Sequence, residues 1–224
     1  MSTVRLDDLK QYSDVIRSTK GAALIVRFVE PGDAGTLQGY FRSLSVRSRY
    51  SRFFSAMSEL PHNVLDQFMH VGERDQFSVV VTTKVDGFET IIGEARYAFY
   101  SETRSVEFGL SIDDRWQRQG IGWALLRNLE CRAAAFGAER LLGDTLRSNE
   151  AMIGLARKSG YTLSANPDDW RLARFVKQIG TGPKEIAWAS WRLAATGIAG
   201  GVATNAEFPS NTADDGRHMF LCLF

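Results

Sequence analysis

The chain is predicted to fold as an α/β protein, with a mixed, mostly antiparallel sheet flanked by helices. Three observations carry this prediction. Val106, Phe108, Leu110 and Ile112 are apolar and alternate with Glu107, Gly109 and Ser111, the period of two that marks a half-buried strand. Ile121, Leu125, Leu129 and Ala133 are spaced by four, one face of a helix. Two β-rich runs, 77–85 and 90–100, flank Asp86-Gly87, which is a hairpin signal.

Taken in order, residues 1–20 are polar, with Leu6, Leu9, Tyr12 and Ile16 spaced as in a short amphipathic helix or surface arm. The run 22–29 (AALIVRFV) reads as the first strand. Asp33 follows a Pro-Gly turn and suits a helix N-cap, and Leu37, Phe41 and Leu44 give that helix an apolar face. A second helix is expected over 45–57, where Arg47, Arg49 and Arg52 mix with Tyr50, Phe53 and Phe54. A third covers 61–70. Gly93 inside the 90–100 run points to a bulge or a close backbone approach. The long helix from Ile121 is expected to close at Gly137. A strand over 140–146, a helix capped by Ser148 or Asn149, and strands near 161–163 and 170–176 complete the order.

Composition narrows the function. The net charge is +1, so no general attraction to nucleic acid or to acidic membranes is implied. No apolar run approaches the roughly 18 residues that span a bilayer. The N-terminal MSTVRLDDLKQ lacks the apolar stretch of a signal peptide, and cytoplasm is the expected compartment. With 2 cysteines, neither a disulfide framework nor a zinc cluster is suggested. His62 and His70 lack ligand spacing and Cys131 sits in a helix, so no metal site and no thiol nucleophile are expected.

The organising stretch is 107–123, EFGLSIDDRWQRQGIGW. A strand, a Gly-bearing turn and a helix together make an anion site. The first amides of a helix lack partners within it, and the helix dipole places positive charge there. Gly120 and Gly122 would let a bulky anion approach the backbone, and Arg115 and Arg118 add charge. Three readings compete. The glycines could serve helix–sheet packing alone. A dinucleotide site would need a third glycine where Leu125 stands. The third reading is a coenzyme A pyrophosphate loop of the form Q/R-x-x-G-x-G/A, formed by Gln117, Arg118, Gln119, Gly120, Ile121 and Gly122.

That last stretch resembles the signature of the GNAT (GCN5-related N-acetyltransferase) superfamily. Downstream, Asn149-Glu150-Ala151-Met152 and then Ala156-Arg157-Lys158-Ser159-Gly160-Tyr161 resemble the family's second signature, an Asn that opens a helix ending in Gly-Phe or Gly-Tyr. The resemblance covers about 22–179. The segments RSRYSRFF at 47–54, Glu107-Phe108-Gly109 and LARKSG at 155–160 are similar to the acetyltransferase domain of bacterial protein lysine acetyltransferases. The implied organisation is an N-terminal arm (1–20), a GNAT domain (21–179) and a C-terminal extension (180–224). The extension is rich in Gly, Ala and Thr and reads as a loosely ordered segment, with a dimer contact or a lid burying Trp188, Trp191 and Phe220 as the alternative.

The resemblance implies acetyl-CoA as co-substrate, without a metal, and a primary amine as acceptor, either a protein lysine or a small molecule. The implied cofactor contacts are Leu110 and Ile112 on the strand, Gln117, Arg118, Gln119, Gly120, Ile121, Gly122 and Trp123 at the loop, and Asn149 and Met152 on the second signature helix. A backbone N–H near Leu110 would polarise the thioester carbonyl. Glu107 matches the glutamate used as base in the lysine acetyltransferases, and Glu94 is the runner-up. Ala156 stands where many members carry a tyrosine that protonates the leaving thiolate. The rival expectation is a coenzyme A-binding sensor or regulatory domain of the same fold without transferase activity.

Overall fold

The computed structural model describes residues 13–72, 75–135 and 137–180. Its strands are β1 (Asp14–Arg17), β2 (Ala23–Phe28), β3 (Gln76–Val85), β4 (Phe88–Tyr100), β5 (Ser105–Ile112), β6 (Arg140–Leu146), β7 (Thr162–Ala165) and β8 (Leu172–Gln178). Its helices are α1 (Ala34–Ser43), α2 (Val46–Phe53), α3 (His62–Met69), α4 (Ile121–Ala135) and α5 (Glu150–Lys158). The strands form one sheet in the order β1-β2-β3-β4-β5-β6-β8-β7. Every neighbouring pair is antiparallel except β5 and β6.

Alternation along the strands sends side chains to two separate cores. Val79, Ala95 and Phe108 pack with Leu125 and Leu129 of α4 on one face. Val80 and Ile91 pack with Leu37 and Phe41 of α1 and Phe68 of α3 on the other. The central strands are therefore buried on both sides, which is why β3 and β4 read as nearly continuous apolar runs rather than as alternating ones.

The N-terminal helix expected through Ile16 is not formed there. Residues 14–17 are an edge strand paired with β2, with Val15 opposite Ile25. A long-range polar contact fixes it. Asp14 accepts hydrogen bonds from Asn128 Nδ2 at 2.8 Å and Arg132 Nη2 at 3.0 Å, and the fully buried Arg132 guanidinium lies 4.9 Å from the Phe28 ring centroid. A buried cation of this kind needs such a partner. Leu6, Leu9 and Tyr12 lie outside the described residues, as do Trp188, Trp191, Phe220 and the rest of the extension beyond Gly180.

Two further differences are local. α2 stops at Phe53 rather than near Met57, because Phe54 adopts a left-handed φ of 52°. Gly93 meets both expectations for it. The β3–β4 register slips between Val81 and Thr82, and a Cβ on Gly93 would stand 2.6 Å from Ile112 Cδ1.

Candidate active site

β5 and β6 pair only from Ser105–Arg140 to Glu107–Leu142. Beyond that point β6 stays with β8 while β5 stays with β4, so the two parallel strands part. Asp113 N–H donates to Ile92 O at 2.9 Å. By the alternation of an antiparallel ladder, the main-chain groups of Ser111 and Glu107 then face β4. Those of Phe108, Leu110 and Ile112 face the gap. Gln117 Nε2 covers the Ile112 carbonyl at 2.9 Å. The Leu110 amide is thus directed at the opening between the strands, where an extended ligand could pair with it.

The turn that follows is shaped by backbone sterics. Arg118 has φ 57° and Gly120 φ 76°, both left-handed. At Gly120 only glycine fits, because a Cβ would stand 2.7 Å from Thr19 Cγ2, and Thr19 N–H donates to Gln119 O at 2.8 Å. The first bond of the α4 ladder runs from Ala124 N–H to Gly120 O. The amides of Ile121, Gly122 and Trp123 precede that ladder and have no acceptor within the helix. Arg118 is exposed and free to meet an anion, whereas Arg115 is spent on Asp113, with contacts of 2.7 and 3.0 Å. Trp123 is 50% exposed and Arg127 lies over its ring. The residues present suit a pyrophosphate: a left-handed turn, unpaired helix amides and an adjacent cation.

Glu107 sits at the last paired position before the strands part, and it is only 6% exposed. Its carboxylate receives a long hydrogen bond from Tyr100 Oη at 3.5 Å. Burial and the nearby charge of Asp144 raise its pKa from 4.5 to about 7, against the pull of Arg174 and Tyr100. Asp144 is itself held by Arg174 through bonds of 2.9 and 3.0 Å.

Glu94 has a different environment. It is buried and takes Arg52 Nε at 2.8 Å, Arg52 Nη2 at 3.2 Å and Ser111 Oγ at 2.6 Å. Tyr40 Oη joins Ser111 at 2.9 Å. Both of its oxygens are thus engaged by protein side chains.

These features are a strand with an opened edge, an anion-binding turn and a buried carboxylate near pKa 7. A family model described as Acetyltransferase (GNAT) family matches residues 41–161, more than half of the chain. The chain belongs to the GNAT acetyltransferase family.

Relatives agree with this assignment. Acetyltransferase PA5475 of Pseudomonas aeruginosa is 26% identical over 149 residues, covering 66% of this chain and 80% of that protein. Among solved structures, the GNAT domain of S. lividans PAT superposes with a TM-score of 0.68 at 21% identity, covering 75% of this chain and 98% of the other. A cAMP-binding acyltransferase from Mycobacterium smegmatis gives 0.55 at 21% identity, covering 85% and 56%. A ribosomal alpha-N-protein acetyltransferase in complex with coenzyme A gives 0.58 at 15% identity, covering 75% and 100%. This GNAT chain is therefore an acyltransferase by family, and the family uses acetyl-CoA as co-substrate.

The second signature helix contributes less directly. Asn149 Oδ1 caps α5 by accepting from Met152 N–H at 3.2 Å, and Nδ2 donates to Thr145 Oγ1 at 3.1 Å. Met152 is half-buried against the core beside Leu155. Ala156 is fully buried, and Tyr161 packs edge-on against Phe108 and Phe175 with centroids 6.1 and 5.6 Å away. Neither position offers a proton donor at the surface of the gap. Sequence reasoning missed the Asp144–Arg174 pair, Tyr100 and Thr19. Strand pairing brings Tyr100, Asp144 and Arg174 to the site, and Thr19 arrives through the bond from its turn to Gln119; none of these contacts is visible in a single sequence. Among the described residues, no group of three His, Cys, Asp or Glu side chains could hold a metal ion, and no helix is long and apolar enough to cross a membrane.

Proposed function

We propose that this GNAT protein is an acetyl-CoA-dependent N-acetyltransferase that transfers the acetyl group to a primary amine, on a protein lysine or a small molecule, by direct attack on the thioester. The observation that carries this reading is Glu107. It is a buried carboxylate with a pKa of about 7, one strand position before the gap toward which the Leu110 amide points.

The amine arrives as an ammonium and must lose a proton before it can attack. Glu107 takes that proton and releases it to solvent. The nitrogen lone pair then attacks the thioester carbonyl carbon. A C–N bond forms and the C–S bond breaks. The Leu110 N–H stabilises the charge that builds on the carbonyl oxygen. The second nitrogen proton balances the departing thiolate and passes through solvent, since Ala156 supplies none. Gln117, Arg118, Gln119, Gly120, Ile121, Gly122 and Trp123 would hold the pyrophosphate end. Ile112 would extend the strand-like contact along the pantetheine, and Asn149 and Met152 would border it.

Release of coenzyme A, measured with acetyl-CoA and a panel of lysine peptides, polyamines and amino acids, tests the reading. Turnover with at least one amine is expected, falling about 10² to 10⁴-fold in Glu107→Gln with acetyl-CoA affinity kept. An unchanged rate in Glu107→Gln would remove Glu107 as the base. Tight acetyl-CoA binding without turnover on any amine would favour the sensor reading instead.

A further inference from the structure

The turn that leads into the anion-binding loop is fastened to α2. Asp114 Oδ2 accepts Ser45 N–H at 2.8 Å, and Oδ1 accepts Ser45 Oγ at 2.9 Å and Ser48 Oγ at 2.7 Å. Ser48 Oγ also accepts Gln117 Nε2 at 3.4 Å, and Gln117 is the first residue of the loop. One position earlier, Asp113 accepts Ser43 Oγ at 2.9 Å. The end of α1 and the start of α2 are thereby tied to 113–117 through side chains.

α2 needs this support. It has eight residues, too few to hold helical shape unaided, and its first turn contains no acidic residue while carrying Arg47 and Arg49. Cations at a helix N-terminus oppose the dipole. Asp114 supplies the missing negative charge from outside the helix. At its other end α2 delivers Arg52 to Glu94, directly over Gly109, where a Cβ would stand 2.6 Å from Arg52 Nη1. α2 thus forms a wall over the strand that bears Glu107, and its N-terminus hangs on the turn that shapes the loop.

We propose that Asp114 is a positioning residue that couples the two halves of the site, so that an acyl donor seated on 117–122 orders α2 over the β5 strand. This rests on the coenzyme A reading of the loop. Coupling of this kind is reciprocal and amounts to fivefold or more in typical cases.

Amide hydrogen exchange on the full chain, with and without saturating coenzyme A, tests it. In the wild type, exchange should slow at 120–125 and also across 46–53, by about fivefold or more in α2. In Asp114→Ala the slowing at 120–125 should persist while that at 46–53 disappears. Asp114→Asn, which keeps one carbonyl acceptor, should restore part of it. Should Asp114→Ala fail to fold, Ser48→Ala cuts the link to Gln117 while leaving both Ser45 bonds, and should weaken the α2 response. Slowing in α2 that is equal in wild type and variants overturns the proposal, as does a wild-type α2 that ignores coenzyme A bound at the loop. No slowing at 120–125 in the folded wild type overturns the coenzyme A reading, and the coupling with it.

Discussion

Asp144 stands two residues beyond Leu142, the register partner of Glu107, and its charge opposes ionisation of Glu107 across two parallel strands that are about to part. Burial supplies the larger share of the shift. The native state therefore holds a proton on Glu107 between its ordinary pKa of 4.5 and about 7, where the unfolded chain has lost it. Stability should fall as pH rises through that window, by about 3 kcal/mol at most. Glu107→Gln removes the titration. Denaturant melts at pH 5 and pH 8 should show the variant gaining on the wild type by up to that amount at the higher pH.

With Glu107 as the proposed base, the same group should set the activity profile. A base must be ionised, so kcat/KM for the amine should climb with pH up to about 7 and then level until other groups titrate. Tyr100 does not enter this range, because burial and the neighbouring Glu107 push its pKa up to about 12. Initial rates at saturating acetyl-CoA across pH 5 to 9 check the profile.

Glu94 and Glu107 should respond in opposite ways. Glu94→Gln or Arg52→Leu leaves a buried charge without its partner, at a cost of about 3 to 5 kcal/mol. The folded fraction of Glu94→Gln should keep its kcat within about threefold. Glu107→Gln should lose kcat without losing stability. Thermal melts beside initial rates separate the two, and a selective loss of kcat in Glu94→Gln would transfer the base role to it.

The two glycines of the loop are predicted to differ. Gly120→Ala combines a left-handed φ with a Thr19 clash, and should lose about 1 to 2 kcal/mol of stability and most of the acetyl-CoA affinity. At Gly122 a Cβ would meet Leu155 Cδ2 at 3.4 Å, an ordinary contact, so stability should stay within about 0.5 kcal/mol. Acetyl-CoA affinity should also be kept in Gly122→Ala, because the loop form Q/R-x-x-G-x-G/A admits alanine here and the new methyl faces Leu155 and Ile112. Calorimetric titration of both variants decides this.

The parts of the fold that were legible carry their signal locally. Val106 to Ile112 alternate, the α4 face repeats by four, Asp86-Gly87 marks a hairpin, and each places its element within a few residues. β1 was misread because four residues, DVIR, contain no pattern of their own. Their conformation comes from pairing with β2 and from Asp14 reaching Arg132 on α4. At the site, the Gly-bearing turn and the Asn149 helix cap are legible locally, whereas Glu107 is singled out by the resemblance. What distinguishes Glu107 from Glu94 is not legible locally, since Arg52 and Ser111 meet Glu94, and Asp144 and Arg174 flank Glu107, only once the sheet is assembled.

Calorimetric titration of the wild-type chain with acetyl-CoA, beside a control with NADH, tests the central claim most directly. The account predicts one site of micromolar affinity for acetyl-CoA and no binding of NADH. A folded sample that binds no acetyl-CoA would contradict it, leaving Gly120 and Gly122 as packing glycines and Glu107 as a buried carboxylate without a thioester to serve.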